Sequence, residues 1–471
     1  MEISLTNIIV IKRPTKELLN WCKDSLIFKN PEYIKKVHMG LYVGKTPKTI
    51  KLFDYDKYDN ELYIPSGCFD DIKRFITIDD DIYDYRSTPI ANITSKIVLR
   101  DYQAPSQQVF DKHSNAIISF FCGGGKTEVA LALAAQLGVK TLFLTHTQDL
   151  VNQAYDRCGD RLICKRSFIK EGKVDLSGDI VFGLVQTLAN RLDAIPQNEF
   201  GLVIVDECHR TAVNAKSIGM FRQCIEYFSA KYKLGLSATL HRSDKLEQCI
   251  PYIIGHVVYN IDEDRDEYVG FLDNKEIIRF PKDKFQVPVK INTIISNYAT
   301  KTDGCYHDVF DKNDVLVFSK LLTDISLDSN RNDIIIDIAT TKGSSVLILS
   351  DRVDQLHYLA SKIPNSIVIT GKTPKKQREQ GFKDIDCGKK RVLLSSFKLA
   401  KEGLNILRLD TLIFATPIKD LSTIVQSIGR IQRPNDKKEI ANVFDIDDKN
   451  VFILHKFWLE RKKVYKEKGW Y

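Results

Sequence analysis

No stretch of this chain approaches the ~18–20 apolar residues that a membrane-spanning helix needs, so no membrane partner is expected. The opening residues, MEISLTNIIVIKRPTKELL, lack a basic segment followed by a long apolar one and are not expected to form a secretion signal. The ten cysteines, at 22, 68, 122, 158, 164, 208, 224, 249, 305 and 387, form no Cys-x-x-Cys pair and no Cys/His cluster. That argues against a zinc site, and reduced thiols in a cytoplasmic compartment fit such scatter best. Low-complexity tracts are absent too. A strong charge bias is also missing: 69 basic and 61 acidic side chains leave a net +8, which favours polyanionic partners but decides little alone.

What is present is a soluble-type composition, 43% hydrophobic and 28% charged, over 471 residues. At about 100–200 residues per domain, that suggests about three domains. Residues 96–265 alternate short apolar runs with helical patterns. Ala116–Phe120, Thr141–Thr145, Ile180–Val185 and Leu202–Val205 read as strands, and Lys126–Leu137 as an apolar helix stopped by Gly138. A second such series occupies 321–450, with strands at Ser345–Leu349, Ser366–Ile369, Arg391–Leu394 and Thr411–Ala415. Buried strands separated by helices imply two parallel α/β units. Residues 266–320 read as an irregular connector, and Asp262–Glu267 as a solvated charge run. Residues 1–95 read as a small separate α+β domain, and 451–471 as a basic, aromatic tail.

Four motifs carry chemistry. The first is Cys122-Gly123-Gly124-Gly125-Lys126-Thr127, the end of a P-loop whose consensus is G-x-x-x-x-G-K-S/T. Glycines let backbone N–H groups turn toward phosphate oxygens, and the helix starting at Lys126 points its positive end at the same anion. Lys126 would reach the β- and γ-phosphates of ATP, and Thr127 would ligate Mg²⁺. Phe120 stands where the consensus has its first glycine. The second is Asp206-Glu207-Cys208-His209, directly after an apolar strand. Asp206 would hold Mg²⁺ through water, and Glu207 would orient and deprotonate the attacking water. His209 reads as structural and Cys208 as a small core filler. The third is Leu236-Ser237-Ala238-Thr239, weak by itself. The fourth is Gln426-Ser427-Ile428-Gly429-Arg430-Ile431-Gln432-Arg433. Its two arginines, three residues apart, would share one helical face and suit the spread charge of phosphoryl transfer. Alone, they would read as surface salt-bridging arginines.

Taken together and in this order, the motifs resemble those of the superfamily 2 helicases (DEAD/DEAH-like) over residues 96–450. The match includes Leu99-Arg100-Asp101-Tyr102-Gln103, Thr145-His146-Thr147 with Gln153, Val185-Gln186-Thr187 and Glu402-Gly403-Leu404-Asn405. The resemblance implies an α/β fold of two tandem RecA-like parallel-sheet domains behind a small N-terminal α+β domain. It implies a nucleic-acid-stimulated ATP hydrolase that uses ATP and Mg²⁺. Gln103 would contact adenine with Arg100 nearby, Glu128 would belong to the nucleotide site, and Gly403 would sense ATP. Ser237 and Thr239 would couple hydrolysis to movement. Arg430 and Arg433 would be arginine fingers, with Gln426 near the γ-phosphate. Thr145, Thr147, Gln186, Thr187, Ser350, Arg352, Ser395 and Ser396 would touch one nucleic-acid strand, through phosphates rather than bases.

Three further stretches resemble the branch holding repair, phage branch-migration and poxvirus transcript-release helicases. They are His241-Arg242-Ser243-Asp244 with Ile254–Tyr259, Ser329-Asn330-Arg331-Asn332, and the ending Arg461–Trp470. The branch implies DNA, single-stranded, forked or branched, as the main partner, with replication or transcription proteins beside it. A Lys/Asn/Ile/Tyr-rich composition suits a phage or large DNA virus, hence the host cytoplasm. By the same analogy the N-terminal domain would engage duplex or branched DNA. Open alternatives are a transcript-release factor, an RNA helicase, a restriction-enzyme motor and a scaffold with a dead ATP site. The tail reads as a helix packing its aromatic face, in preference to a base-stacking element.

Overall fold

The computed structural model describes residues 1–471 except 122, 171–172, 209–221, 239–245, 265, 303–304, 313–314, 404–405 and 436–437. Two compact units emerge: Met1–Glu263 with Tyr268–Phe280, and Pro281–Tyr471 with Asp264–Glu267.

The first unit opens with a sheet in the order Asp54–Asp56, Glu61–Pro65, Ile8–Lys12, Glu2–Leu5, Asp81–Asp84. Its apolar residues alternate: Ile3, Leu5, Ile9, Ile11, Leu62 and Ile64 are all buried. The helix Lys16–Ser25, capped by Thr15, adds Leu18 and Cys22 to that face. This α+β region shares one compact unit with the layer that follows it. Its core is continuous with Cys224, Phe228, Ile250 and Ile253 of the α/β layer. A face of alternating apolar residues must be covered, and each buried Leu, Ile or Phe side chain contributes roughly 1.5–3 kcal/mol. At the seam, a Cβ on Gly67 would lie 2.5 Å from the Tyr252 carbonyl, so glycine is required there. The fully buried Lys233 donates to Ser66 Oγ at 2.6 Å, and Asn115 Nδ2 to the Ser66 carbonyl at 2.7 Å.

Behind this seam runs the main sheet. Among the described residues its order is Lys173–Val174, Arg166–Lys170, Ile180–Leu184, Thr141–Thr145, Leu202–Val205, Tyr232–Ser237, Asn115–Ser119, Val257–Asp264, Glu267–Leu272, Lys275–Pro281. From Arg166–Lys170 to Val257–Asp264 every neighbouring pair is parallel. The central strands are buried on both faces, which explains their unbroken apolar runs. The stretch left irregular by sequence reading therefore contributes strands, to this sheet up to Pro281 and to the second unit beyond it. Its mixed polarity reflects one-sided burial: Tyr268 and Val269 are buried, whereas Glu267 and Lys275 are exposed.

The second unit has its own parallel sheet, ordered Val289–Ile295, Ala441–Asp447, Thr411–Phe414, Val346–Leu349, Val392–Ser395, Ser366–Ile369. The final helix, Phe452–Glu467, buries Leu454, Phe457, Trp458, Arg461 and Tyr465. Arg461 lies 1% exposed and grips Asp445 with two bonds of 2.8 and 2.9 Å, while Tyr465 donates to the same carboxylate at 2.9 Å. The basic tail is thus a packed helix with one of its cations turned inward. Among the described residues no helix is long and apolar enough to cross a membrane.

Candidate active site

The parallel register brings several motif residues to one edge of the first sheet. Ser119 pairs with Ser237, Gly235 with Val205, and Leu144 with Val205, so the chain leaves these strands side by side. The carboxyl ends of such strands are where α/β sheets bind ligands. Emerging there are the P-loop, Asp206-Glu207, Ser237 and Thr145.

The P-loop is held from beneath by the segment around Gln103. Gln103 is 4% exposed, donates from Nε2 to the Gly124 carbonyl at 2.8 Å and accepts from the Arg100 N–H at 3.0 Å. Tyr102 donates to the same Gly124 carbonyl at 3.2 Å and accepts from Arg100 Nη1 at 3.0 Å. Gly123 and Gly125 take φ of +85° and +80°, a region that side chains disfavour. A Cβ on Gly125 would collide with the Gln103 amide, and one on Gly124 would meet the Phe121 carbonyl at 3.1 Å. Bare backbone is therefore needed here, as a cradle for phosphate requires. Lys126 begins the helix Lys126–Leu137, with Thr127 beside it in the first turn. Glu128 pairs with Arg157 at 2.7 Å and Arg161 at 3.2 Å, joining this helix to Gln148–Arg161.

Phe120 has a physical role where a consensus glycine is missing. It is fully buried, edge-on to Tyr259 at 5.3 Å and to Tyr102 at 6.2 Å. Tyr102 stacks on Phe280 at 4.8 Å, and Phe121 on Tyr268 at 4.0 Å. An aromatic stack supports the loop, and its members Tyr268 and Phe280 carry no motif in the sequence because their partners are distant in the chain.

Asp206 continues its strand, its N–H bonding the Leu144 carbonyl at 2.9 Å. Glu207 then turns into the left-handed region at φ +53°, an uncommon state for a residue with a Cβ. Strain of this kind costs of order 1–3 kcal/mol and collects at functional sites. Cys208 is buried against the Cβ position of Gly235, as a core filler.

The strand-contact candidates are placed unevenly. Gln186 is exposed and Thr187 half-buried at the start of Val185–Ala189. Thr145 is 1% exposed and its hydroxyl donates to the Thr147 carbonyl at 3.0 Å; the Thr147 hydroxyl caps the next helix. In the second unit, Ser395 is fully buried and donates to the Ile369 carbonyl at 2.8 Å, and Ser350 donates to Gln355 at 2.7 Å. Arg352 reaches Thr323 Oγ1 at 3.0 Å and the Ser319 carbonyl at 2.7 Å. Ser396 accepts from the Leu399 N–H at 3.4 Å. Cys122, His209, Thr239, His241–Asp244, Leu404 and Asn405 lie outside the described residues.

The arginine pair departs from the helical reading. The helix Leu421–Ile431 carries Gln426, mostly buried, and Arg430 in its last turn. It caps at Gln432, so Arg433 lies beyond it and the two arginines do not share a helical face. Pro434 follows, and a proline disfavours helical geometry in the residue before it. Lys438, with no motif to mark it, closes this end by donating to the Ile431 carbonyl at 3.0 Å and the Arg433 carbonyl at 2.9 Å. Gly403 ends the helix Phe397–Gly403.

Comparison with known proteins agrees with this architecture. Residues 81–242 match the family described as type III restriction enzyme, res subunit, and residues 330–435 match the helicase conserved C-terminal domain. A protein named putative ATP-dependent RNA helicase L396, of Acanthamoeba polyphaga mimivirus, is 28% identical over 88% of this chain and 78% of its own. One named DNA 3'-5' translocase XPB2, of Sulfurisphaera tokodaii, is 26% identical over 78% of this chain and 86% of its own. The solved structure of S. cerevisiae Dbp5 bound to RNA and ADP BeF3 shares the fold at a TM-score of 0.51, with 13% identity over 78% of this chain and 93% of that one. With these two families matched in tandem and relatives named as helicases or translocases along most of its length, the chain belongs to the superfamily 2 helicases, related to their repair and their phage and viral branches, and is an ATP-dependent helicase.

Proposed function

We propose that this helicase is a DNA motor that unwinds or remodels forked and branched DNA, in a virus or phage and so in the cytoplasm of its host. The observation that carries the reading is the likeness to a protein named as a DNA translocase along 78% of this chain. The relative named as an RNA helicase favours RNA as the second reading.

The residues fit ATP and Mg²⁺, since the glycine loop leaves room for nothing but backbone beside Gln103 and Phe121. The N–H groups of Gly123, Gly124 and Gly125 and the start of the Lys126 helix would bind phosphate oxygens, and Lys126 would balance their charge. Thr127 and Asp206 would hold the metal, which supplies charge neutralisation on the phosphates. Glu207 would orient the attacking water and take its proton. Arg430 and Arg433 would stabilise the charge spread in phosphoryl transfer, with Gln426 beside them. Arg100, Gln103 and Glu128 act in this proposal as supports of the nucleotide loop, and Gly403 as a relay. Ser237 and Thr239 would link hydrolysis to movement, and the nucleic-acid contacts would be mostly to phosphates.

The test is ATP hydrolysis and strand displacement across single strand, duplex, fork, four-way junction and RNA. ATP-dependent migration of forks or junctions is expected. Stimulation by RNA with none by any DNA would replace the reading with the second one. Transcript release from stalled polymerase without junction migration would replace it with a transcription role.

A further inference from the structure

The helix Gln148–Arg161 ends beside a pair of thiols. Cys158 lies in its last turn and Cys164 just past its end, and their sulfurs are 3.7 Å apart. Both are reduced. Cys158 is fully buried, whereas Cys164 is half-buried and meets solvent. The backbone that carries them is held on both sides. The Leu162 N–H bonds the Cys158 carbonyl, and Leu162 and Ile163 pair with Ser95 and Thr94. The Lys165 N–H bonds Asp179 Oδ2 at 2.8 Å. The approach of the two sulfurs is therefore built into the fold. A disulfide spans about 2.05 Å, so the sulfurs need to close by about 1.7 Å, which rotation of the two side chains about their Cα–Cβ bonds covers.

The surroundings favour a thiolate at one of the two. Arg166 donates to the Tyr155 carbonyl at 2.6 Å, and its guanidinium lies 4.4 Å from the centre of the Tyr155 ring. That sets a fixed positive charge against this helix. A Cβ at Gly159 would lie 2.0 Å from Arg166 Nη1, so this glycine, a residue that helix interiors disfavour, is what lets the guanidinium lie there. Donation from Cys158 holds the Cys164 thiol below its ordinary value, against burial and the Asp179 carboxylate and with help from Arg166. The same bond, together with burial, pushes Cys158 up. Burial alone acts otherwise: it pushes Cys22 and Cys224 up to about 12, as for inert thiols of a core.

We infer that Cys158 and Cys164 form a site of reversible oxidation, which closes to an intramolecular disulfide when a hydroperoxide meets Cys164. The site is separate from ATP hydrolysis and from nucleic-acid binding. The Cys164 thiolate attacks one oxygen of hydrogen peroxide, the O–O bond breaks and hydroxide leaves, giving a sulfenic acid. The Cys158 sulfur then attacks the Cys164 sulfur, the S–S bond forms, the S–O bond breaks, and the departing hydroxide takes the Cys158 proton. Two thiols and one peroxide thus become one disulfide and two waters. A dithiol reductant reverses the change by exchange and is itself oxidised to a disulfide. The accessible thiol of lowered pKa meets the oxidant, and the buried one resolves it. The new bond straddles the end of a helix whose Arg157 and Arg161 hold Glu128, the neighbour of Thr127 in the phosphate loop. Oxidation therefore staples a support of that loop.

Trypsin cuts after Arg157, Arg161 and Lys165, which puts the two cysteines on separate peptides, Cys158–Arg161 and Leu162–Lys165. The folded full-length chain is treated with hydrogen peroxide, quenched with iodoacetamide, digested without reductant and read by mass spectrometry. The two peptides should appear joined, two hydrogens lighter than their sum, and should separate on adding dithiothreitol. Cys164→Ser should abolish the joined species. In Cys158→Ser, dimedone should trap a sulfenic acid on Cys164, and it should label Cys158 far less in Cys164→Ser. Peptides that join only in urea would overturn the inference, because the folded geometry would then play no part. Oxidation of Cys164 to the sulfinic acid with no joined species would overturn it too. So would joining of either peptide to the exposed Cys387 instead.

Discussion

Lys438 holds the main chain of Arg433, its ammonium donating to the Arg433 carbonyl at 2.9 Å while also bonding that of Ile431. The cation thus caps the end of the helix that bears Arg430, where the carbonyls are unsatisfied and the dipole is negative. Burial pushes the ammonium down to about 8. Hydrogen bonds to charged groups contribute about 1.5–3 kcal/mol, so Lys438→Met is expected to lower kcat for ATP about ten-fold or more. KM for ATP should move less than about two-fold if the arginines act on the transition state. The charged form prevails below its shifted value, so hydrolysis by the unaltered chain should decline as pH rises through about 8. A pH profile of Lys438→Arg that keeps the same decline would refute the role.

Glu207 sits in a left-handed turn at the mouth of the sheet. As the proposed general base, its replacement by Gln should cut hydrolysis by about 10²–10⁴ while leaving nucleotide binding in place. Single-turnover hydrolysis and a fluorescent ATP analogue measure the two separately. Equal losses in both would show a structural role.

Two histidines join the N-terminal region to the motor layer of the first unit. His113 bonds Asp70 at 2.6 Å and Asp273 at 2.8 Å, and His256 bonds Asp71 at 2.8 Å, with Lys73 and Lys112 also near these carboxylates. Hydrogen bonding to Asp70 and to Asp71 raises the two histidines above 6.5, against the opposing effect of burial. Their contribution to stability is therefore complete below about pH 6.5 and lost as pH rises through the raised values. Hydrogen-exchange protection of residues 61–84, each rate taken relative to the intrinsic rate at that pH, should be greater at pH 6 than at pH 8.5. In the double variant His113→Gln and His256→Gln that difference should shrink.

Arg461 and Asp445 are each 1% exposed and joined by two bonds. Removing one member of such a pair strands the other charge, at a cost of about 3–5 kcal/mol. Arg461→Met should therefore destabilise the second unit strongly, and Arg461→Met with Asp445→Asn should recover part of the loss. Urea titration followed by tryptophan fluorescence suits this, because Trp458 and Trp470 both lie in that unit and Trp21→Phe removes the remaining tryptophan.

Most of the parallel strands were legible because they are buried on both faces, and Val346–Leu349 or Leu202–Val205 announce that with unbroken apolar runs. The phosphate loop was legible because backbone geometry demands glycine at 123 and 125. Glu267–Leu272 and Lys275–Pro281 were not, since one wet face breaks the run. The three-residue spacing of Arg430 and Arg433 is compatible with a helix, but the helix ends at Ile431, ahead of Pro434. Lys438 and the Tyr102–Phe280 stack depend on contacts formed only once the chain has folded, and no local pattern encodes them.

The shared core of the first unit constrains how the protein can be made. Ile3, Ile11, Leu62 and Ile64 are finished by Phe228, Ile250 and Ile253. On the ribosome, at about 5–20 residues per second, the earliest strands would wait on the order of ten seconds or more for those partners to emerge. During that interval an apolar sheet face stands open, and nascent chains of this protein should be clients of whatever chaperone meets them at the exit tunnel.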